Sequence, residues 1–430
     1  MDRVIRIGLL GCGVVGSGVV RILHAQADDI AARTGAKLEV ARIAVRDPTR
    51  DRGLALPPDT VTGDARAVVE ADDIDVVVEV MGGREPAGTL VRRALERRRP
   101  VVTANKELVA HEGPELFDVA EAAGVDLQYE AAVAGAIPII KPLKESLAGD
   151  RIRRVIGILN GTTNHILTSM SEAGGSYQEA LAEAQRLGYA EADPTADVGG
   201  HDAAAKCAIL ASLAFDTRIV AADVFREGIT AVTATDIRVA ARLGYVIKLL
   251  AIASEVEGQV AVRVHPAFVP RAHPLAAVRG SFNAIFVEAD HAGELMFYGR
   301  GAGSAPTGSA VVGDIIHVAR HLLQESRGPR ESSHRPKGIR PIGELATQYY
   351  VLLDVEDRPG VLAAVATVFG SHHVSIGQVW QEGHGDTAQL VLVTHRARER
   401  DLQGVVADLR REPAVRAVAS VLRVESEALG

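Results

Sequence analysis

An α/β fold class in three successive parts is predicted for this 430-residue sequence by three observations. From Val4 to about Tyr129, short β-branched runs alternate with helical stretches, the rhythm of βαβ units in a parallel sheet covered on both faces. From Arg151 the order becomes helices followed by successive strands, which argues for an α+β part with a mixed sheet. From Tyr349 the order is β-α-β-β-α-β, which is ferredoxin-like.

The first part rests on strands at Val4–Leu10, Leu38–Val45, Asp75–Val80, Val101–Thr103 and Val125–Tyr129, with helical spacing over Val14–Arg33 and Glu85–Arg98. In the second, helices are predicted over Thr162–Glu172, Tyr177–Leu187 and His201–Leu213. Strands follow at Ile247–Glu255, Val260–Phe268, Phe282–Glu288 and Glu294–Tyr298. A long helical pattern, Ala305–Leu323, is expected to return to the first part. Gln324–Ile342 is rich in Arg, Ser, Pro and Gly and lacks an apolar period, as a linker or mobile loop would. The third part takes strands at Tyr349–Val355, Val374–Gln381, Gln389–Thr394 and Val415–Val424, and helices at Val361–Phe369 and Leu402–Arg411.

Composition narrows the function. Hydrophobic residues make up 47% and aromatics only 4%, so the core must be largely Ala, Val, Leu and Ile. A net charge of −8 disfavours nucleic acid as a partner, since its phosphates call for a basic surplus. Two cysteines, Cys12 and Cys207, exclude a disulfide scaffold or a Cys-rich metal site. His111-Glu112 lacks the second histidine of a zinc-protease motif. Five glycines from Gly8 to Gly18 break the first apolar run, so it is a poor signal peptide, and no later run is long enough to span a membrane. A cytoplasmic enzyme with no membrane association is expected.

Gly11-Cys12-Gly13-Val14-Val15-Gly16 follows a predicted strand and opens a helix. The first glycine suits a tight turn, the second close approach to a pyrophosphate, and the third helix–strand packing, so the first part reads as Rossmann-type. The next strand ends at Val45-Arg46-Asp47, where an acid would bind a ribose 2′-hydroxyl and an arginine a 2′-phosphate. Both are present; Arg46 comes first and leans the choice to NADP(H) over NAD(H). Thr103-Ala104-Asn105-Lys106 lies at the carboxyl edge of the sheet, where Lys106 either orients a substrate carboxylate, steadies the nicotinamide or merely opens a helix. Asp202 and Lys206 share one helix face. Spacing alone favours a surface ion pair, but Glu191, Asp193, Asp197 and Asp202 crowd around this one lysine.

Taken with Thr103–Glu107, Gln128–Ile140 (QYEAAVAGAIPII), Leu159–Asn164 (LNGTTN) and Gly188–Lys206 (GYAEADPTADVGGHDAAAK), the Gly11–Gly16 motif closely resembles homoserine dehydrogenases. The resemblance runs in order from residue 4 to about 320. It implies NAD(P)-dependent interconversion of L-homoserine and L-aspartate 4-semialdehyde, with Lys206 as proton donor and acceptor and Lys106 as a second active-site lysine. It further implies that Glu191, Asp197 and Asp202 hold the amino acid while Thr162 and Gly188 line the pocket. Gly11, Gly13, Val14, Val15, Gly16, Arg46, Thr103 and Lys106 would then contact the cofactor, and Gly303 resembles a glycine that touches the cofactor or the hinge between domains. A monovalent cation, usually Na+, is implied at Glu130, Val133, Gly135 and Ile137, mostly through backbone carbonyls.

The last part resembles an ACT domain through Asp357-Arg358-Pro359-Gly360-Val361-Leu362. Such domains pair through their sheets and bind small amino acids near that turn, which makes Arg358, Pro359 and Gly360 the expected effector site and threonine the expected effector. A side chain at Gly360 would be expected to obstruct the effector. The implied organisation is a NAD(P)-binding domain over 1–135 with the 305–323 helix, a substrate-binding and dimerisation domain over 136–304, a linker over 324–342 and an ACT domain over 349–424. A homodimer or homotetramer is expected, with no fused N-terminal kinase. If the linker lets the module move, a chain ending near Ile342 should stay active and lose sensitivity to threonine. Two rivals remain: a 2-hydroxyacid dehydrogenase, which would use a histidine–acid pair and an arginine, and an NADP sensor without turnover.

Overall fold

The structure, a computed structural model, describes residues 3–57, 59–329, 336–384 and 386–425. Its elements begin with β1 (Val4–Leu10), α1 (Val14–Ala25), α2 (Ala27–Thr34), β2 (Lys37–Ala44), β3 (Val61–Thr62), α3 (Ala65–Glu70) and β4 (Val76–Glu79). They continue with α4 (Ala87–Glu96), β5 (Val101–Thr103), α5 (Lys106–Ala123), β6 (Leu127–Gln128), β7 (Ile152–Ile158), α6 (Gly161–Ala173) and α7 (Tyr177–Arg186). Next come α8 (Thr195–Val198), α9 (His201–Ala214), β8 (Phe225–Arg226), α10 (Ala234–Arg242), β9 (Tyr245–Val256), β10 (Gln259–Pro270), β11 (Phe282–Ala289) and β12 (Gly293–Arg300). The last are α11 (Ser304–Leu323), β13 (Ala346–Glu356), α12 (Val361–Ser371), β14 (Ile376–His384), β15 (Thr387–Thr394), β16 (Ala397–Arg398), α13 (Glu399–Leu409) and β17 (Val415–Val424). Two compact units result. One comprises the described residues of 1–159, 205–223 and 282–337, the other those of 160–204, 224–281 and 338–430.

In the first unit six parallel strands take the order β3-β2-β1-β4-β5-β6, the doubly wound arrangement. Both faces are apolar. Val76 and Val78 of β4 enter the core shared with α1 and α11, and Val77 between them enters the core shared with α4 and α5. The helix α11 lies against α1 across glycines: a Cβ on Gly18 would collide with the Ser304 carbonyl, and one on Gly308 would come within 3.1 Å of Gly18. A separate antiparallel set, β7-β11-β12, completes this unit.

Two expectations change here. The helix foreseen over Val14–Arg33 is two helices, because Gln26 leaves the helical region at φ −120°, ψ 25°. After Arg151 a strand, β7, precedes the helices. Arg153 and Arg154 hide its alternation in the sequence; Arg154 sits opposite Glu288 of β11 and pairs with it at 3.4 Å, so strand pairing absorbs the charge.

In the second unit the strand order is β9-β10-β17-β13-β15-β14, with β8 beside β10. β13, α12, β14, β15, α13 and β17 form the ferredoxin-like module. Tyr349, Val351, Leu353 and Val355 of β13 point to α12 and α13. The opposite face of β13 is also covered, since Tyr350 stacks on Phe268 of β10 at 4.6 Å and donates to Asp236 of α10 at 3.0 Å. β17 pairs in parallel with β10 at Ala267↔Arg423 and Phe268↔Val424. The module is thus built into the sheet that begins with β9.

The described flanks of Gln324–Ile342 are tied down. Gly328 donates its N–H to Asp126, and Gly338 and Arg340 bond Val260 on either side of the Ile339↔Val260 bridge. Residues 330–335 lie outside the described residues. Among the described residues no helix is long and apolar enough to cross a membrane.

Candidate active site

β1 runs out into Gly11, the residue after Leu10, whose φ of +99° an L side chain rarely adopts and whose Cβ would meet Val80 O at 2.9 Å. A Cβ on Gly16 would collide with Gly11 O, whereas Gly13, the N-cap of α1, faces open space. The middle glycine therefore leaves room for a phosphate beside the first-turn amides of Val14, Val15 and Gly16, which a helix start leaves without intrahelical acceptors. Gly303 is drawn to the same place. It precedes α11 with φ +122°, and the next residue, Ser304, donates its hydroxyl to Val14 O at 2.7 Å.

Gly11 N–H bonds Ala44 O, which sets the end of β2 beside the glycine loop. Arg46 is exposed there. The carboxylate of Asp47 accepts the N–H and hydroxyl of Thr49 at 2.9 and 2.6 Å, which holds it below the usual carboxylate range. The acid is occupied by its own turn and the arginine faces solvent.

Thr103 is wholly buried, and its hydroxyl donates to Glu79 at 2.6 Å. Any contact it makes to a cofactor would pass through its backbone. Glu79, wholly buried at the end of β4, also accepts the N–H of Met81 at 2.7 Å, and burial raises its pKa. It went unnoticed in the sequence; the only signal is one acid closing an apolar run (DVVVEV). Asn105 caps α5 through Leu108 N–H and holds Gly83 O at 2.6 Å, and Lys106, half-buried, is the first residue of the helix.

At Glu130 the carboxylate accepts three backbone N–H groups, from Ile139 (2.6 Å), Ile140 (2.7 Å) and Lys141 (3.0 Å). Its own N–H donates to Asp314, which is fully buried, lies 2.7 Å from Lys141 Nζ, and is pushed up to about 6 by burial. The Glu130 side chain is therefore engaged with backbone amides, and its carbonyl, which accepts Val133 N–H at 3.4 Å, is the neutral oxygen it could offer a cation. The loop that follows has Ala134 and Gly135 both left-handed, and a Cβ on Gly135 would meet Gly301 O at 2.5 Å. Neutral carbonyls of Glu130, Val133, Gly135 and Ile137 are donors that suit a hard monovalent ion, and among the described residues no His, Cys, Asp and Glu group could hold a metal.

The acidic crowd resolves into different parts. Asn160, the N-cap of α6, accepts Thr163 N–H and donates to Asp197 at 2.7 Å and to Asp202 at 2.9 Å. Asp193 serves its own turn by accepting from Thr195, and Glu191 is exposed with its carbonyl held by Gln185. Thr162 donates to Tyr189 O at 2.7 Å, anchoring the turn in which Gly188 takes φ +76°. Asp202 and Lys206 are both buried, so they are not the solvated pair that spacing alone favoured. Lys206 donates to Leu159 O at 2.8 Å, and Asn283 donates to the same carbonyl at 2.9 Å. Asn160 and Asn283 were not singled out in the sequence, because an asparagine's partners are set by distant chain.

At the turn before α12, Gly360 has φ +93° and open space around its Cβ position. Glycine is required there by backbone conformation, and a side chain would project into the open space beside the turn. Arg358 bonds Glu356, and Asp357 accepts from Gln381 of β14 at 3.4 Å.

Family models agree along the chain: homoserine dehydrogenase NAD binding domain over residues 11–130, homoserine dehydrogenase over 138–316 and ACT domain over 349–414. A homoserine dehydrogenase of Corynebacterium glutamicum is 52% identical over 98% of this chain and 96% of its own. The chain belongs to the homoserine dehydrogenase family. The crystal structure of a homoserine dehydrogenase from Thiobacillus denitrificans matches with a TM-score of 0.93 at 40% identity, covering 99% of both chains. A hyperthermophilic archaeal homoserine dehydrogenase in complex with NADPH matches 76% of this chain and 99% of its own, with a TM-score of 0.64 at 28% identity. Like other homoserine dehydrogenases, this chain is an oxidoreductase acting on a CH–OH group, with a pyridine-nucleotide domain and an ACT domain.

Proposed function

We propose that the enzyme interconverts L-homoserine and L-aspartate 4-semialdehyde with NADP(H), moving the hydroxyl proton through Lys206. The observation that carries this reading is a pair of buried groupings, each within its own unit, anchored by two consecutive residues just after β7. There Asn160 draws Asp197 and Asp202 together, and the preceding carbonyl, of Leu159, holds buried Lys206. Two carboxylates suit a substrate ammonium, and a desolvated lysine suits proton transfer at a hydroxyl. When bound, the nucleotide gives or takes the hydride at substrate C4. Lys206 takes the hydroxyl proton as the alcohol is oxidised and returns it in the reverse direction. Lys106 steadies the substrate, with Thr162, Gly188 and Glu191 completing the pocket. The carbonyls of Glu130, Val133, Gly135 and Ile137 would hold Na+, and the enzyme works in the cytoplasm as a homodimer or homotetramer. The test is NADPH oxidation with aspartate semialdehyde: no turnover would leave only a nucleotide sensor.

The NADP(H) preference is supported by the exposed arginine beside an occupied acid, and by the NADPH complex of the archaeal relative. Arg46→Ala should weaken NADP(H) by about 1.5–3 kcal/mol, as for hydrogen bonds to charged groups, and leave NAD(H) nearly unchanged. Equal losses in the two Kd values would assign Arg46 a structural role instead.

Threonine is the effector we assign to the turn Arg358-Pro359-Gly360, whose helix-start amides suit a carboxylate. Threonine should inhibit the full chain, and Gly360→Ala, which strains φ +93°, should raise the inhibitory concentration. An enzyme indifferent to threonine would leave the module a purely structural part.

A further inference from the structure

Glu79 closes β4, which lies between β1, the strand that leads into the glycine loop, and β5, the strand that leads to Lys106. In this strand order the course of the chain reverses between β1 and β4, and ligands bind outside the carboxyl ends of the strands there. The acid stands at that edge and is wholly buried. Burying a carboxylate is costly unless it is bonded, and an apolar residue would close the strand without that cost. What the carboxylate holds explains its presence.

Its two oxygens join two loops. Oε1 accepts the N–H groups of Met81 at 2.7 Å and Gly82 at 3.2 Å, in the loop after β4. Oε2 accepts the Thr103 hydroxyl at 2.6 Å, and the Thr103 oxygen in turn accepts Asn105 N–H at 3.0 Å. Asn105 returns to the first loop by donating to Gly83 O at 2.6 Å, while its side-chain oxygen caps α5 through Leu108 N–H at 3.1 Å. The bonds therefore close a ring, and Lys106 is the next residue of the chain.

The loop after β4 also meets the glycine loop. Val80 N–H bonds Leu10 O at 2.9 Å, and a Cβ on Gly11 would come within 3.1 Å of Met81 N. Gly82 and Gly83 are both left-handed, at φ +75° and +73°, with open space around their Cβ positions. We propose, on the reading that Lys106 steadies the substrate, that Glu79 is a positioning residue for the reaction. By tying the loops after β4 and β5 to each other, it sets where Lys106 stands relative to the nucleotide loop. Placement of this kind carries rate, since a group misplaced by about 1 Å can cost 10²-fold while still present.

Two variants of nearly unchanged shape test this in the full chain. Glu79→Gln keeps one oxygen for the Met81 and Gly82 amides but loses the acceptor for Thr103, and Thr103→Val removes only the hydroxyl. Each should lower kcat for NADPH oxidation with aspartate semialdehyde by about 10-fold to 10²-fold. The Kd for NADPH should change little, because the glycine loop keeps its own bonds to Ala44 O and Val80 N–H. A double-mutant cycle with Lys106→Ala separates positioning from general damage. On that background each substitution should cost about twofold or less in kcat, since the lysine it misplaces is gone. Unchanged kcat in both single variants overturns the proposal, as do losses that multiply in full with that of Lys106→Ala. Near-normal turnover in Lys106→Ala alone removes the reading of that lysine, and the proposal with it.

Discussion

Lys206→Ala lowers turnover by about 10²–10⁴-fold, the range for a positioned acid–base group, with NADPH binding intact. The lysine is buried on α9, 2.8 Å from the Leu159 carbonyl, and the glycine loop that would bind the nucleotide stands on α1, so the two functions are separable. Lys206→Arg keeps the positive charge but cannot give up a proton, and it should fail as badly as alanine. Turnover with aspartate semialdehyde, read beside NADPH affinity for each variant, checks both points. Near-normal turnover in Lys206→Ala would remove the proposed proton path, and an active arginine variant would reduce the lysine to a charge.

Ending the chain near Ile342 destabilises what remains. The linker-like sequence suggested an active, insensitive enzyme, but β13 and β17 cover β10 and α10 within one unit. Phe268, wholly buried, would lose Tyr350, and Asp236 would lose the Tyr350 hydroxyl. Re-exposing one large apolar side chain costs about 1.5–3 kcal/mol, which corresponds to roughly 3–12 °C in melting temperature for a domain of this size. We expect a lower-melting, aggregation-prone protein with reduced activity, measured by thermal unfolding and by turnover. An unchanged melting temperature would restore the view of a separable module.

Much of this was legible because the signals are local. The alternation of Val4–Leu10, the glycines at 11, 13 and 16 and the strand Val415–Val424 are where the sequence places them, since period, turn geometry and helix starts depend on near neighbours. The acids around Lys206 were visible as a crowd but not as an arrangement. Spacing cannot tell that Asp193 closes its own turn while Asp197 and Asp202 meet on Asn160.

The sequence by itself determined the order of the elements, the nucleotide loop and the family to which the chain belongs. Only the tertiary structure decided what each polar group does. The Glu130 carboxylate is used by three amides, the Thr103 hydroxyl by Glu79, and a tail that looked detachable shares its sheet with β10. The reason is physical. Backbone propensity is set within a few residues, whereas a buried donor or acceptor must find a partner wherever the folded chain places one, and the identity of that partner is not written beside it.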